Sequence, residues 1–122
     1  MKWAPEVGMS GSRMTDMNVI EMDGRGAADV MRLARRPVPK PAPGEVLIRA
    51  RAIGVNRVDI LQRTGQYTPP YGIIDVPGVE LSGEVAALGD GVTGFAIDDA
   101  VCGLVVGGGY AEYCAVPQTQ VL

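Results

Sequence analysis

Histidine is absent from this 122-residue chain, and with it go the commonest metal ligand and the side chain most used to move protons near neutral pH. Ser-His-Asp triads, Cys-His nucleophiles and zinc hydrolase sites are therefore excluded. Cysteine is nearly absent. Cys102 and Cys114 are separated by eleven intervening residues, a spacing that fits neither a CxxC redox motif nor the paired ligands of a zinc site. They read as structural thiols in a reducing compartment. Long apolar runs are missing too: the longest weakly polar stretch, Val101 to Gly109, is broken by four glycines. It falls short of the roughly 20 residues that span a bilayer. The opening MKWAPEVGMSGSR has no apolar stretch behind its lysine, so no signal peptide is expected and cytoplasm is the default. Nor is there excess positive charge. Eleven basic against fourteen acidic residues leave a net charge of -3, so neither nucleic acid nor a membrane is an expected partner.

Glycine and proline, by contrast, are plentiful at 17 and 9 residues, and they fall between apolar runs. With 47% hydrophobic residues, this predicts one turn-rich β domain. All six methionines lie at or before residue 31, and residues 1–16 are expected to be a leader or tag, with the folded domain over 17–122. MNVIEM (17–22) and DVMRLARR (29–36), separated by DGRGAA, read as a first hairpin. PVPKPAPGE (37–45) reads as an exposed extended connector, with a PxxP ligand as its alternative. VLIRARAIG (46–54) is the most secure strand, with Val46, Ile48, Ala50 and Ala52 on one face and Arg49 and Arg51 on the other. In VDILQRT (58–64), Val58, Ile60 and Leu61 sit at helical spacings behind Asn56, an N-cap with Asp59 three residues on. GQYTPPYGIIDVPG (65–78) reads as a shaped loop.

VELSGEVAALG (79–89) is a second long strand that turns Val79, Leu81, Val85 and Ala87 inward, with Gly83 marking a bulge or close backbone approach. AVCGLVV and YAEYCAV are expected to form a final hairpin joined by Gly107 to Gly109. The triple glycine offers no phosphate loop, because a strand-like run follows it where a helix is needed. Glu80, Glu84 and Glu112 are candidate acids or bases, but a solvated or salt-bridged face explains them better. Asn56 keeps two compatible readings: a helix cap, or an amide aimed into a pocket beside the Tyr67 loop.

The strings GVNRVDILQRTGQYTPPYG, VPGVELSGEVAALGDGVTGF and GGGYAEYCAVP, with the lead-in PGEVLIR, resemble one family in order and spacing. It is the zinc-independent NAD(P)H quinone oxidoreductases of the medium-chain dehydrogenase/reductase superfamily, and the similarity covers their N-terminal domain from about Met17 onward. The resemblance implies a mainly β, GroES-like, partly open barrel with one or two short helices. It also implies the substrate-side, catalytic domain of a two-domain reductase, transferring hydride from NADPH or NADH to a quinone. An enone or alkenal reductase domain and a stand-alone GroES-like interaction module are the alternatives. Zinc alcohol dehydrogenases carry cysteine where Asn56 stands and histidine where Val79 stands, so no catalytic metal is expected.

By the same resemblance Asn56 and Tyr67 line the nicotinamide and substrate cleft, and no acid or base residue is expected. Hydride comes from the cofactor and solvent can protonate the quinone oxygen, so the residues need only orient two flat rings. A small-molecule quinone or enone and a second copy of the chain are the expected partners. Asp98 replaces a glycine that the family places in a turn, which raises the question of a positive φ there. No dinucleotide fingerprint is counted in the chain, and the main cofactor site is expected in a Rossmann domain that this chain does not include.

Overall fold

The protein is described by a computed structural model over residues 16–69 and 75–122. The leader expected over residues 1–16 lies outside the described residues except for Asp16, which opens the first strand, and part of the 65–78 loop lies outside them as well.

Strands β1 (Asp16–Met22) and β2 (Met31–Pro37) form the expected hairpin, in continuous register from Asp16 opposite Pro37 to Met22 opposite Met31. A second antiparallel sheet contains β3 (Glu45–Ile53), β4 (Glu80–Leu88), β5 (Ala100–Leu104) and β6 (Tyr113–Pro117), in the order β5-β4-β3-β6. Helix α1 (Arg57–Thr64) lies between β3 and β4 in the chain. Neither sheet closes on itself, so the domain is mainly β and partly open, as the resemblance implies. Backbone bonds from Ile20 N–H to Tyr110 O and from Glu112 N–H to Asn18 O wrap the hairpin onto the segment ahead of β6.

β3 is the spine of the domain because it is buried on both faces. Val46, Ile48 and Ala50 are fully buried in one cluster with Val85 and Val116, while Leu47 points the other way into a second cluster with Met17, Val19 and Tyr113. Each large aliphatic side chain buried this way contributes roughly 1.5–3 kcal/mol, so both cores hang on one strand. The alternation expected for β3 ends early. A register shift between Ala50 and Ala52 leaves Ala52 exposed, and another, between Leu47 and Ile48 on β3, brings Ala87 opposite Leu47 and into the second cluster. A bulge moves every later side chain to the other face, which strict alternation cannot anticipate.

The expected β5–β6 hairpin does not form. β5 pairs with β4 and β6 with β3, which puts the two strands at opposite edges of the sheet. Gly107 to Gly109 serve instead for close packing of two backbones: Gly108 N–H donates to Val76 O at 2.8 Å and Gly109 N–H to Gly78 O at 3.1 Å. A Cβ on Gly109 would stand 2.9 Å from the Gly78 carbonyl carbon, closer than real side chains come.

Two further local readings change. GDGVTG (89–94) does carry the G-x-G-x-x-G spacing, correcting the expectation that the chain lacks it. It follows a strand, but no helix opens behind it, so there is no helix N-terminus to receive a pyrophosphate. Glu112 is buried, not solvated: its Oε1 accepts the Asn18 N–H at 2.6 Å and pins the hairpin to the larger sheet. Glu84 is the salt-bridged residue expected, held by Arg51 at 2.9 Å and Arg49 at 3.3 Å. Asp98 has φ 71°, so the turn does demand the left-handed conformation that the family's glycine supplies freely.

Candidate functional site

Helix α1 is short, and its ends explain it. Asn56 takes the N-cap position with extended backbone (φ -126°, ψ 157°), and Gly65 ends the helix in the left-handed conformation. Asp59 Oδ2 accepts the Asn56 N–H at 2.9 Å, and the Asp59 N–H returns to the Asn56 carbonyl oxygen at 3.0 Å. Arg25 and Arg63 fasten the far end, through Arg25 Nη1 to Gln62 O at 2.9 Å and Arg63 Nε to Gly26 O at 3.1 Å. The apolar residues that mark the helix in the sequence are not the ones it buries. Asp59 and Gln62 are buried, whereas Ile60 is 39% exposed. The helix is therefore held largely by hydrogen bonds.

The structure gives Asn56 the helix-cap position that the first of its two readings expects. It caps the helix, and its Nδ2 is buried without a hydrogen-bond partner. A buried amide donor left unpaired costs roughly 1–3 kcal/mol, which marks it as a group kept for something else to bond. Tyr67 lies just past the other end of α1, half-buried, its N–H bonded to Leu61 O at 3.1 Å. Neither Asn56 nor Tyr67 lines the groove at the edge of the larger sheet. That groove, about 620 Å³, runs along the sheet edge between Gly54, Leu81, Cys102, Leu104 and Leu122. Cys102 is exposed there, against the expectation of two structural thiols, whereas Cys114 is buried.

The sequence reading passed over Tyr110. Its ring is buried and its hydroxyl donates to Asp59 Oδ2 at 2.7 Å, across 51 residues of chain. The only local signal is a tyrosine at the end of a rigid glycine run. Burial, then the Asp59 hydrogen bond and charge, push the Tyr110 hydroxyl far above its ordinary 10.0. Burial also raises Tyr113 above 10.0, against the pull of Arg49, and burial with the Glu45 charge pushes Cys114 up from 9.0 to about 12. All three groups stay neutral in the fold and ionise more readily in the unfolded chain. Their contribution to stability is complete below the unfolded values and is lost as pH rises toward the folded ones. The urea midpoint is expected to be flat to about pH 8 and to fall steeply from about pH 9 upward. A midpoint unchanged at about pH 11 would show that these groups are not sequestered.

Comparison with known proteins agrees with this architecture. Residues 42–122 match the family model described as the alcohol dehydrogenase GroES-like domain. The chain belongs to that family. It is similar to the mouse synaptic vesicle membrane protein VAT-1 homolog-like (38% identical over 102 residues, 84% of this chain and 24% of that protein). A probable quinone oxidoreductase of Schizosaccharomyces pombe is 38% identical over 104 residues, 84% of this chain and 31% of that protein. Among solved structures, a mycobacterial protein complexed with NADPH superposes with a TM-score of 0.77 at 39% identity, over 86% of this chain and 33% of that one. This domain resembles the N-terminal domain of quinone oxidoreductases of the medium-chain dehydrogenase/reductase superfamily. The chain spans about a quarter to a third of the length of these curated relatives. Among the described residues no helix is long and apolar enough to cross a membrane.

Proposed function

We propose that this domain is the substrate-side half of a cytoplasmic NAD(P)H-dependent quinone oxidoreductase that works without a metal. The observation that carries the proposal is the buried, unpartnered Nδ2 of Asn56. An amide N–H held there suits a carbonyl oxygen, of the nicotinamide carboxamide or of a quinone, and strengthens as negative charge grows on that oxygen. The bound nicotinamide supplies the hydride. Tyr67, past the far end of α1, supplies a flat face and a hydroxyl for orienting a ring.

The donor set is ill suited to zinc. Asn56 and Val79 offer an amide and an alkyl group, and among the described residues no three His, Cys, Asp or Glu side chains gather. Exposed Leu104 and Leu122 beside the sheet-edge groove support self-association of the isolated chain. The test uses a protein that joins this domain to its nucleotide-binding domain. Asn56→Ala is expected to lower kcat/KM for quinone about tenfold to a hundredfold, and Tyr67→Ala by less, with the fold kept and the thermal midpoint of Asn56→Ala lowered only by the few degrees that loss of a helix cap costs. Wild-type kinetics in both variants would return Asn56 to a helix cap and nothing more.

A further inference from the structure

We infer that Tyr110 and Asp59 are positioning residues that fix the Asn56 amide, so that the GGGY loop, acting through the first turn of helix α1, sets the geometry of the site; this rests on the role proposed above for Asn56. The chain of contacts starts in the sheets. Gly108 N–H bonds Val76 O, Gly109 N–H bonds Gly78 O, Tyr110 N–H bonds Pro77 O at 2.9 Å, and Tyr110 O accepts from Ile20 N–H at 2.9 Å. Four backbone bonds over three residues leave Tyr110 little freedom, and its buried ring then carries the hydroxyl to Asp59 Oδ2 at 2.7 Å. The same oxygen holds the Asn56 N–H at 2.9 Å, and the Asp59 N–H holds the Asn56 carbonyl oxygen. Both backbone groups of Asn56 are thus tied to one residue, the N–H to the Asp59 carboxylate and the carbonyl oxygen to the Asp59 N–H, and the aim of that carboxylate is set by a phenol from the far side of the chain.

The second carboxylate oxygen, Asp59 Oδ1, is buried with no hydrogen-bond partner. Everything that orients Asp59's carboxylate therefore converges on Oδ2, and the Tyr110 hydroxyl is the contact that reaches it from outside α1. Without that contact the carboxylate keeps only the Asn56 N–H, and the torsions that point Asn56 Nδ2 are loosened with it.

The experiment is solution NMR of the 122-residue chain and of Tyr110→Phe, which removes one hydroxyl and keeps the ring. In the wild type the Asn56 side-chain NH2 is expected to resonate away from the free-amide position and to exchange slowly with solvent. In Tyr110→Phe it is expected to move toward the free-amide position and exchange at least tenfold faster, while the amides of residues 61–64 keep their shifts. An Asn56 NH2 unchanged by Tyr110→Phe would overturn the inference, and so would loss of the helix amides together with it, because the pair would then be a staple for the whole helix. Asp59→Asn is the second variant: it keeps an oxygen for the hydroxyl and is expected to give an intermediate shift. These readouts are independent of catalysis. If Asn56→Ala leaves turnover intact while the NMR result holds, it is the functional reading that fails.

Discussion

Replacing Gly83 by valine is expected to leave the domain unfolded at room temperature, and Gly83→Ala to lower its thermal midpoint by more than about 10 °C. Gly83 sits in the middle of β4, buried, opposite Ala50 on one side and Val101 on the other. A Cβ there would collide with the Arg49 carbonyl oxygen and stand 2.8 Å from its carbonyl carbon. These are backbone atoms of the central strand, so they cannot move aside without breaking the β3–β4 register. Both hydrophobic clusters depend on β3, and the strain therefore reaches the whole core. Overpacking against a rigid backbone costs about 3 kcal/mol or more. Small domains have only about 5–15 kcal/mol in total, and this one is at the small end. Ser82→Ala, one residue away, is the control expected to change little. A wild-type melting curve for Gly83→Ala would show that the two strands do not approach this closely.

Gly83 also shows what a sequence can disclose. A glycine inside an otherwise regular strand pattern signals a close approach, and the approach is there. Asp98 in a glycine's place signaled a positive φ, and φ is 71°. The first hairpin, the α1 cap and the buried face of β3 follow from local periodicity and turn chemistry in the same way. What escaped were features made by residues distant in the chain that leave no local mark. Three glycines between two apolar runs look like a hairpin turn whether they turn the chain or pack against residues 76–78. Glu112 looks like any exposed carboxylate until β1 is laid over it. Asn56 was legible as a candidate from its motif, but Tyr110, 51 residues beyond Asp59, carries no local mark of its bond to α1.

The second large effect concerns activity. The chain by itself is expected to oxidise no NADPH with quinone and to bind the dinucleotide weakly. Most dinucleotide affinity comes from a pyrophosphate held at a glycine-rich helix start, together with a residue that reads the ribose. Here GDGVTG leads into turns, and the chain covers only 24% and 31% of two curated relatives. Joined to a nucleotide-binding domain, the same residues should support turnover, because Asn56 and Tyr67 would then face a cofactor held from the other side.

The most direct measurement is quinone-dependent NADPH oxidation by that joined protein after exhaustive treatment with a metal chelator, with the 122-residue chain run beside it. Undiminished turnover in the joined protein and none in the chain alone is the expected result. Loss of turnover to the chelator, restored by zinc, would contradict a metal-independent site, and robust turnover by the chain alone would contradict the placement of the cofactor site outside it.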